Sequence, residues 1–184
     1  MRRRDFVAFL VCGTTWPLHT YAQQPQKIPR IGALLPGTPA SFSLRTKAFR
    51  EGLSEHGYVE GRTIEIEWKW GQDRLDALPE LAAELARSNV DVIVTGGTSA
   101  AKALIATTRT IPIVMAIVSD PVAAGLVDNL ARPGGNATGF SIVAPELGTK
   151  RLELLKEIAP TVSSIAVLLN TNNPQSKVEL KEMQ

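Results

Sequence analysis

The sequence is poor in the residues that form disulfides, metal sites and nucleophilic catalysts. Its 184 residues include one cysteine and two histidines, and only 5% of them are aromatic. Cys12 and His19 lie within the first 22 residues, so the rest of the chain has no thiol and His56 as its one imidazole. Disulfides, zinc clusters and cysteine nucleophiles are therefore excluded beyond residue 22. No motif predicts a metal site or a cofactor.

A large excess of charge of either sign is also missing. The chain has 20 Lys and Arg against 18 Asp and Glu. Three of the basic and one of the acidic residues lie in the first 22 residues, so 17 of each remain. Because nucleic acids and anionic membranes attract clustered positive charge, this balance argues against nucleic acid as a partner. No apolar run approaches the roughly 18 residues of a membrane-spanning helix, so we expect no direct membrane insertion of the mature chain.

The first 22 residues have the pattern of an export signal. Residues 2–4 are arginines, residues 6–16 are mostly apolar, and residues 20–22 offer small side chains to a signal peptidase. We therefore predict cleavage after Ala22 and a periplasmic mature protein. The paired arginines, followed by an acidic and an aromatic residue, favour a twin-arginine signal, with an ordinary secretory signal as the alternative. Residues 9–11 make a poor lipobox before the cysteine, so we expect no lipid anchor.

Strand and helix patterns alternate along the following 118 residues or so, with short connections. The predicted strands are 30–35, 64–70, 90–95, 111–116 and 137–140, and the predicted helices are 41–56, 73–88, 99–108 and 121–130. In the second strand, apolar Ile64, Ile66, Trp68 and Trp70 alternate with charged residues, which is typical of an edge strand. The continuous apolar run at 111–116 indicates a strand covered on both faces. Such alternation implies right-handed crossovers and a doubly wound parallel α/β sheet.

The same pattern restarts after residue 140. A helix is predicted at residues 147–158 and a strand at residues 165–170. One helix and one strand cannot bury a two-sided sheet. We therefore expect a signal peptide at residues 1–22, a complete first α/β lobe at residues 23–140, and the beginning of a second, truncated lobe at residues 141–184.

Ligands of open α/β sheets bind beyond the carboxyl ends of the strands, so the loops after the first, third and fourth strands are the candidate site. In the third loop Gly97, Thr98 and Ser99 would offer backbone N–H groups and hydroxyls at a helix start, where a carboxylate binds well. The alternative is that Thr98 or Ser99 merely caps the helix. Asp120 in the fourth loop would receive an ammonium group, or would cap a helix starting at Pro121.

The segment around Ser99 also approximates the G-x-S-x-G elbow of α/β hydrolases. A hydrolase triad places its histidine after the serine, whereas His56 precedes Ser99 in this chain. An exported hydrolase that uses Ser99 is thus the less favoured alternative, and we expect no catalytic residues.

Four segments carry a resemblance to a known family: Gly-Tyr-Val-Glu-Gly at residues 57–61, Ser-Asp-Pro-Val at 119–122, Arg-Pro-Gly-Gly-Asn-Ala-Thr-Gly at 132–139 and Lys-Arg-Leu-Glu-Leu-Leu at 150–155. They resemble the ABC-transporter substrate-binding family that includes tryptophan- and tyrosine-binding lipoproteins. The resemblance implies a type I periplasmic-binding fold, in which two lobes close on a ligand. Thr38, Thr98, Ser99 and Asp120 match its ligand-contacting loops by position, and Asn170 is the candidate from the second lobe.

The function implied by this resemblance is that of a periplasmic solute-binding protein. It would bind a small polar ligand, such as an amino acid, and deliver it to an ABC-transporter permease in the inner membrane. A ligand-binding subunit of a membrane sensor is the alternative, because the sequence does not separate transport from sensing.

Overall fold

The computed structural model describes residues 27–142, 147–169, 176 and 180–181. Its helices and strands in chain order are β1 (Arg30–Leu35), α1 (Ser43–Glu55), β2 (Glu65–Trp70), a 3₁₀ turn (Leu75–Ala77), α2 (Leu78–Arg87), β3 (Val92–Gly96), α3 (Thr98–Thr107), β4 (Ile113–Ser119), β5 (Ala137–Ile142) and α4 (Leu147–Ile158). Residues 1–26, which include the predicted export signal and its cleavage site, lie outside the described residues.

The five strands form one parallel sheet in the order β2-β1-β3-β4-β5. Helices cover both faces of the sheet. Neighbouring residues of β1 point to opposite faces, and each of them lies close to a different helix. A Cβ on Gly32 would meet Leu85 of α2, whereas Ala33 lines a cavity with Phe49 of α1. The predicted doubly wound α/β fold is therefore confirmed, and so is the edge position of β2.

The main core lies between the sheet and helices α2 and α3. Sheet side chains that are at most 3% exposed pack there against helix residues of equally low exposure: Leu34, Ile93, Ile113 and Met115 against Leu78, Ala82, Leu85, Ala100, Ala101 and Leu104. Burying a leucine of this kind stabilises the fold by about 1.5–3 kcal/mol. Packing against α2 and α3 fixes the strands, and therefore also the starting positions of the loops that follow them.

The opposite face is covered less completely. Helix α1 lies over it and leaves a cavity of about 90 Å³ above the small residues of β1, β3 and β4. Ala116 of β4 is exposed, whereas Ile113 and Met115 are buried. The expectation that β4 is covered on both faces is therefore wrong for this part of the strand.

The predicted helix at residues 121–130 is wrong, because only one turn of it exists. The Leu126 N–H donates to the Pro121 carbonyl at 2.8 Å, and the Gly125 N–H donates to the Val122 carbonyl at 2.9 Å. Gly125 has φ +67°. These two bonds around a left-handed glycine are the Schellman ending of a helix. The chain then turns inward to bury Leu126.

The predicted strand at residues 165–170 is also not found where the chain is described. Residues 162–169 form neither helix nor strand, and Leu168 is fully exposed. A strand needs a neighbour to satisfy its backbone N–H and C=O groups, and no strand of the described residues lies beside this segment. Helix α4, by contrast, has the predicted bounds of 147–158.

The edge strand β2 is braced against α1 by an ionic and aromatic cluster. Glu60 accepts hydrogen bonds from Arg50 Nε at 2.5 Å and from Trp68 Nε1 at 3.0 Å. The Arg50 guanidinium lies 4.6 Å from the centre of the Trp68 ring, which in turn stacks on Trp70. Burial alone raises the pKa of Glu60, but the hydrogen bonds from Arg50 and Trp68 and the charge of Arg50 outweigh it, so this pKa is lowered.

Candidate functional site

The carboxyl ends of β1, β3 and β4 bring their loops together at one edge of the sheet. The buried Thr95 hydroxyl donates to the Leu34 carbonyl at 2.8 Å, which joins β3 to β1 near this edge. The Gly97 N–H donates to the Ile117 carbonyl of β4 at 2.7 Å. A Cβ added to Gly97 would lie 3.2 Å from the Pro36 ring in the loop after β1. The loop after β3 therefore contacts the loop after β1 and lies beside the carboxyl end of β4.

The start of α3 is the part of this edge best suited to an anion. The helix begins at Thr98, after Gly97 with φ +93° and ψ +139°, and no side chain of the described residues caps it. The first backbone bond of the helix is from Ala101 to Gly97 at 3.1 Å, so the three preceding N–H groups have no acceptor within the helix. These groups and the helix dipole attract negative charge. The alternative in which Thr98 or Ser99 caps the helix is therefore wrong.

The two hydroxyls at this helix start differ in exposure. Thr98 is buried, with 8% of its surface exposed, and Ser99 is half-buried. Ser99 is thus the more accessible hydroxyl beside the N–H groups that have no acceptor within the helix. A carboxylate at this position would accept hydrogen bonds from the backbone and from a side chain together.

Thr38 lies in the loop after β1 and is already engaged with Ser41. The Ser41 N–H donates to the Thr38 hydroxyl at 3.2 Å, and the Ser41 hydroxyl donates to the Thr38 carbonyl at 3.0 Å. These bonds shape the turn that leads into α1. Thr38 is half-buried at the candidate site, and its contact with a ligand stays a prediction.

Asp120 follows β4 and has the capping role that the sequence offered as one of two alternatives. Its Oδ1 accepts a hydrogen bond from the Ala123 N–H at 2.9 Å, although the helix it was expected to cap is a single turn. Asp120 has a positive φ of 29° and is half-buried. A carboxylate can accept at both oxygens, so capping and binding of an ammonium group are compatible. Asn170 lies outside the described residues.

A second polar turn at this edge was missed from the sequence, because the loop after β2 was not considered. Gln72 and Asp73 follow the edge strand, and both are exposed with positive φ, 52° and 61°. The Gln72 N–H donates to the Gly37 carbonyl at 3.1 Å, and the Asp73 N–H donates to the Pro36 carbonyl at 2.9 Å. The turn is thereby attached to the loop that carries Thr38. The polar residues after a predicted strand were the available signal.

The geometry does not support a hydrolase at Ser99. Helix α1 starts after the carboxyl end of β1 and runs back across the sheet before β2 begins, so His56 at its end lies toward the opposite edge.

Among the described residues no group of histidine, cysteine and acidic side chains is arranged to hold a metal ion. Within the same residues, no helix has the length and apolarity to cross a membrane.

Comparisons with known proteins identify the family of this chain. A family described as ABC transporter substrate binding protein matches residues 38–184. A tyrosine-binding protein of Clostridioides difficile (strain R20291) is 34% identical over 143 residues, which are 78% of this chain and 41% of that protein.

Two solved structures are similar in fold and sequence. A conserved domain protein of Vibrio cholerae has a TM-score of 0.78 at 32% identity, covering 85% of this chain and 52% of that one. An ABC domain from Streptococcus pneumonia in complex with L-Trp has a TM-score of 0.76 at 30% identity, covering 84% and 52%. The chain thus spans about half the length of these relatives.

The family is one of solute-binding proteins and not of enzymes, so the hydrolase alternative has no support. The family match extends over most of the chain, the tyrosine-binding protein is similar in sequence, and the two solved structures are similar in both sequence and fold. The chain belongs to the ABC transporter substrate-binding protein family.

Proposed function

We propose that this chain belongs to a periplasmic solute receptor of an ABC-type uptake system, which binds a small amino acid-like ligand between two lobes and delivers it to a permease in the inner membrane. The observation that carries the proposal is the uncapped start of α3 at the carboxyl edge of the sheet. The names of the relatives, which refer to binding of tyrosine and L-Trp, support an amino acid as the ligand.

The domain organisation belongs to the same proposal. Residues 1–22 serve as a signal peptide that is removed after Ala22, residues 23–140 form the first lobe, and residues 141–184 begin the second. The exposed apolar side chains of α4 and the following segment, among them Leu154, Ile158 and Leu168, support a role in a larger folded unit.

The proposed orientation follows from charges at the site. The ligand carboxylate lies on the N–H groups at the start of α3, beside the Ser99 hydroxyl. The ligand ammonium group lies near Asp120, one strand farther along the sheet. Since the helix start is positive and Asp120 is negative, one zwitterion satisfies both ends.

Binding of an ammonium group at Asp120 can be tested, because one substitution removes the charge of the side chain and keeps its hydrogen bond to the Ala123 N–H. Asp120→Asn keeps an oxygen for the Ala123 N–H and tolerates positive φ, but removes the charge. We expect it to weaken binding by about 2 kcal/mol, since a charged hydrogen bond is lost, without lowering the melting temperature. Asp120→Ala removes the cap as well and should also destabilise the fold by about 1 kcal/mol.

The measurement is calorimetry with L-tyrosine and L-tryptophan on protein expressed from its complete gene. Ser99→Ala should cost about 1 kcal/mol of binding, because it removes one neutral hydrogen bond and leaves the backbone groups in place. Unchanged affinity in Asp120→Asn would show that no ammonium group binds there. Equal affinity in Ser99→Ala and wild type would remove the hydroxyl from the site.

Transport is distinguished from sensing by uptake of the same labelled amino acid in cells that lack the gene. Loss of uptake supports the receptor, because the permease then receives no loaded binding protein. Normal uptake together with tight binding by the purified protein would favour the sensor subunit instead.

A further inference from the structure

The turn after β2 has a backbone conformation that its residues do not prefer. The Arg74 N–H donates to the Gly71 carbonyl at 2.8 Å, which closes a four-residue turn. Its two central residues, Gln72 and Asp73, have φ of +52° and +61°. Two positive φ values in succession are the mark of a type I′ turn, which strongly prefers Asn-Gly. Glutamine and aspartate therefore occupy positions for which better residues exist.

Contacts with a neighbouring loop hold the turn in this conformation. The N–H groups of Gly71, Gln72 and Asp73 donate to the carbonyls of Leu35, Gly37 and Pro36 at 2.7, 3.1 and 2.9 Å. A Cβ on Gly71 would lie 2.7 Å from the Pro36 carbonyl oxygen, so the two loops are in close contact. These are backbone contacts, and Asn-Gly would make them equally well. The backbone explains the shape of the turn but not its side chains.

Positions that keep unfavourable backbone angles concentrate at ligand sites, where the side chain has a separate use. Both side chains are exposed at the edge that carries the candidate site. The sheet order places β2 beside β1, on the side away from β3 and β4. In the proposed orientation the ligand carboxylate lies over β3 and its ammonium group near β4. The side chain of the ligand is then the part left to face the turn.

We propose that Gln72 and Asp73 are specificity-determining residues that bind a hydrogen-bond donor at the end of the ligand side chain, an inference that rests on the proposed function. The Asp73 carboxylate only accepts hydrogen bonds, and the Gln72 amide both accepts and donates. A ligand with a hydroxyl or a ring N–H in its side chain fits them. A ligand with a purely hydrocarbon side chain leaves both groups unpaired, which penalises its binding.

The test is the double variant Gln72→Asn, Asp73→Gly, which installs the preferred turn and removes both side-chain functions. We expect a higher melting temperature together with at least tenfold weaker binding of L-tyrosine to protein expressed from its complete gene. The preference for L-tyrosine over L-phenylalanine should fall as well, since L-phenylalanine has no donor to lose. Asp73→Asn alone keeps the turn and should lower the same preference by a smaller factor.

Asn89→Gly is the matched control. Asn89 also has positive φ, 56°, but it lies just before β3 at the opposite edge of the sheet. The control should be at least as stable as wild type with unchanged affinity. A stabilised double variant with wild-type affinity and preference would overturn this inference and leave the proposed function intact. If wild-type protein binds none of L-tyrosine, L-phenylalanine and L-tryptophan, the proposed function is overturned, and this inference with it.

Discussion

Gly97 is the residue whose replacement tests the geometry of the site most directly. Its φ of +93° and ψ of +139° fall in a region that side-chain-bearing residues avoid. A Cβ there would also lie 3.2 Å from the Pro36 ring, a tighter contact than a rigid ring accepts without moving. Gly97→Ala therefore has two costs, one from the backbone and one from the contact.

The magnitude follows from these two costs. A residue held in a forbidden backbone region costs about 1–3 kcal/mol, so we expect destabilisation of about 2–3 kcal/mol once the contact is included. If the peptide rotates to escape the strain, the bond from the Gly97 N–H to the Ile117 carbonyl is lost, which costs about 1 kcal/mol. Rotation would also move the first turn of α3, so ligand affinity should fall together with stability.

The assay is denaturant unfolding of Gly97→Ala beside Gly52→Ala. Gly52 lies within α1, and a Cβ added there has no atom within 4 Å. Gly52→Ala should stabilise the protein by about 0.5–1 kcal/mol, because alanine loses less backbone freedom in a helix than glycine. A loss of stability in Gly97→Ala together with a gain in Gly52→Ala would support the strain argument at Gly97. Gly97→Ala within about 0.5 kcal/mol of wild type would refute the strain argument, since surface changes rarely exceed that value.

Four further outcomes are expected. Because the folded pKa of Glu60 is lowered, its ion pair stabilises the fold above about pH 4.5 and is lost as the pH falls through the folded pKa; Glu60→Gln should cost about 1 kcal/mol at neutral pH and less in acid, by denaturant titration. Gly139→Ala should weaken the pairing of β4 with β5, measured by hydrogen exchange, because a Cβ would lie 2.1 Å from a β4 carbonyl oxygen. Hydrogen exchange should also show weaker protection at residues 147–169 than in the sheet. Replacing Arg3 and Arg4 by lysine should sharply reduce export, measured by cell fractionation; undiminished export would indicate the general secretory pathway.

The sheet and its helices could be predicted because their signals are local. The apolar run at residues 30–35 and the helical spacing at residues 147–158 match β1 and α4 at both ends. The alternation in β2 indicated an edge strand, and the structure places it at the edge. Each of these patterns reports which side of an element is buried, and burial is the main force that positions strands and helices.

Where the prediction was wrong, distant contacts decided the conformation. Residues 121–130 have an acceptable helical pattern, yet the helical turn ends at Gly125, and the chain then buries Leu126 in the core. Residues 165–169 have the composition of a strand but no described strand beside them. Local preference is worth less than a kcal/mol per residue, so the packing and pairing available in the tertiary structure override it.

One part of the candidate site could likewise be predicted from the sequence, and another part could not. The position of Gly97, Thr98 and Ser99 at a helix N-terminus was predicted from sequence, because a Gly-rich turn lies there between a strand pattern and a helix pattern. Binding of an anion at this position stays a proposal. The turn at Gln72 and Asp73 was not predicted, since neither residue favours positive φ by itself. Its conformation depends on carbonyls some 35 residues earlier in the chain, which only the pairing of β1 with β2 brings within hydrogen-bonding distance.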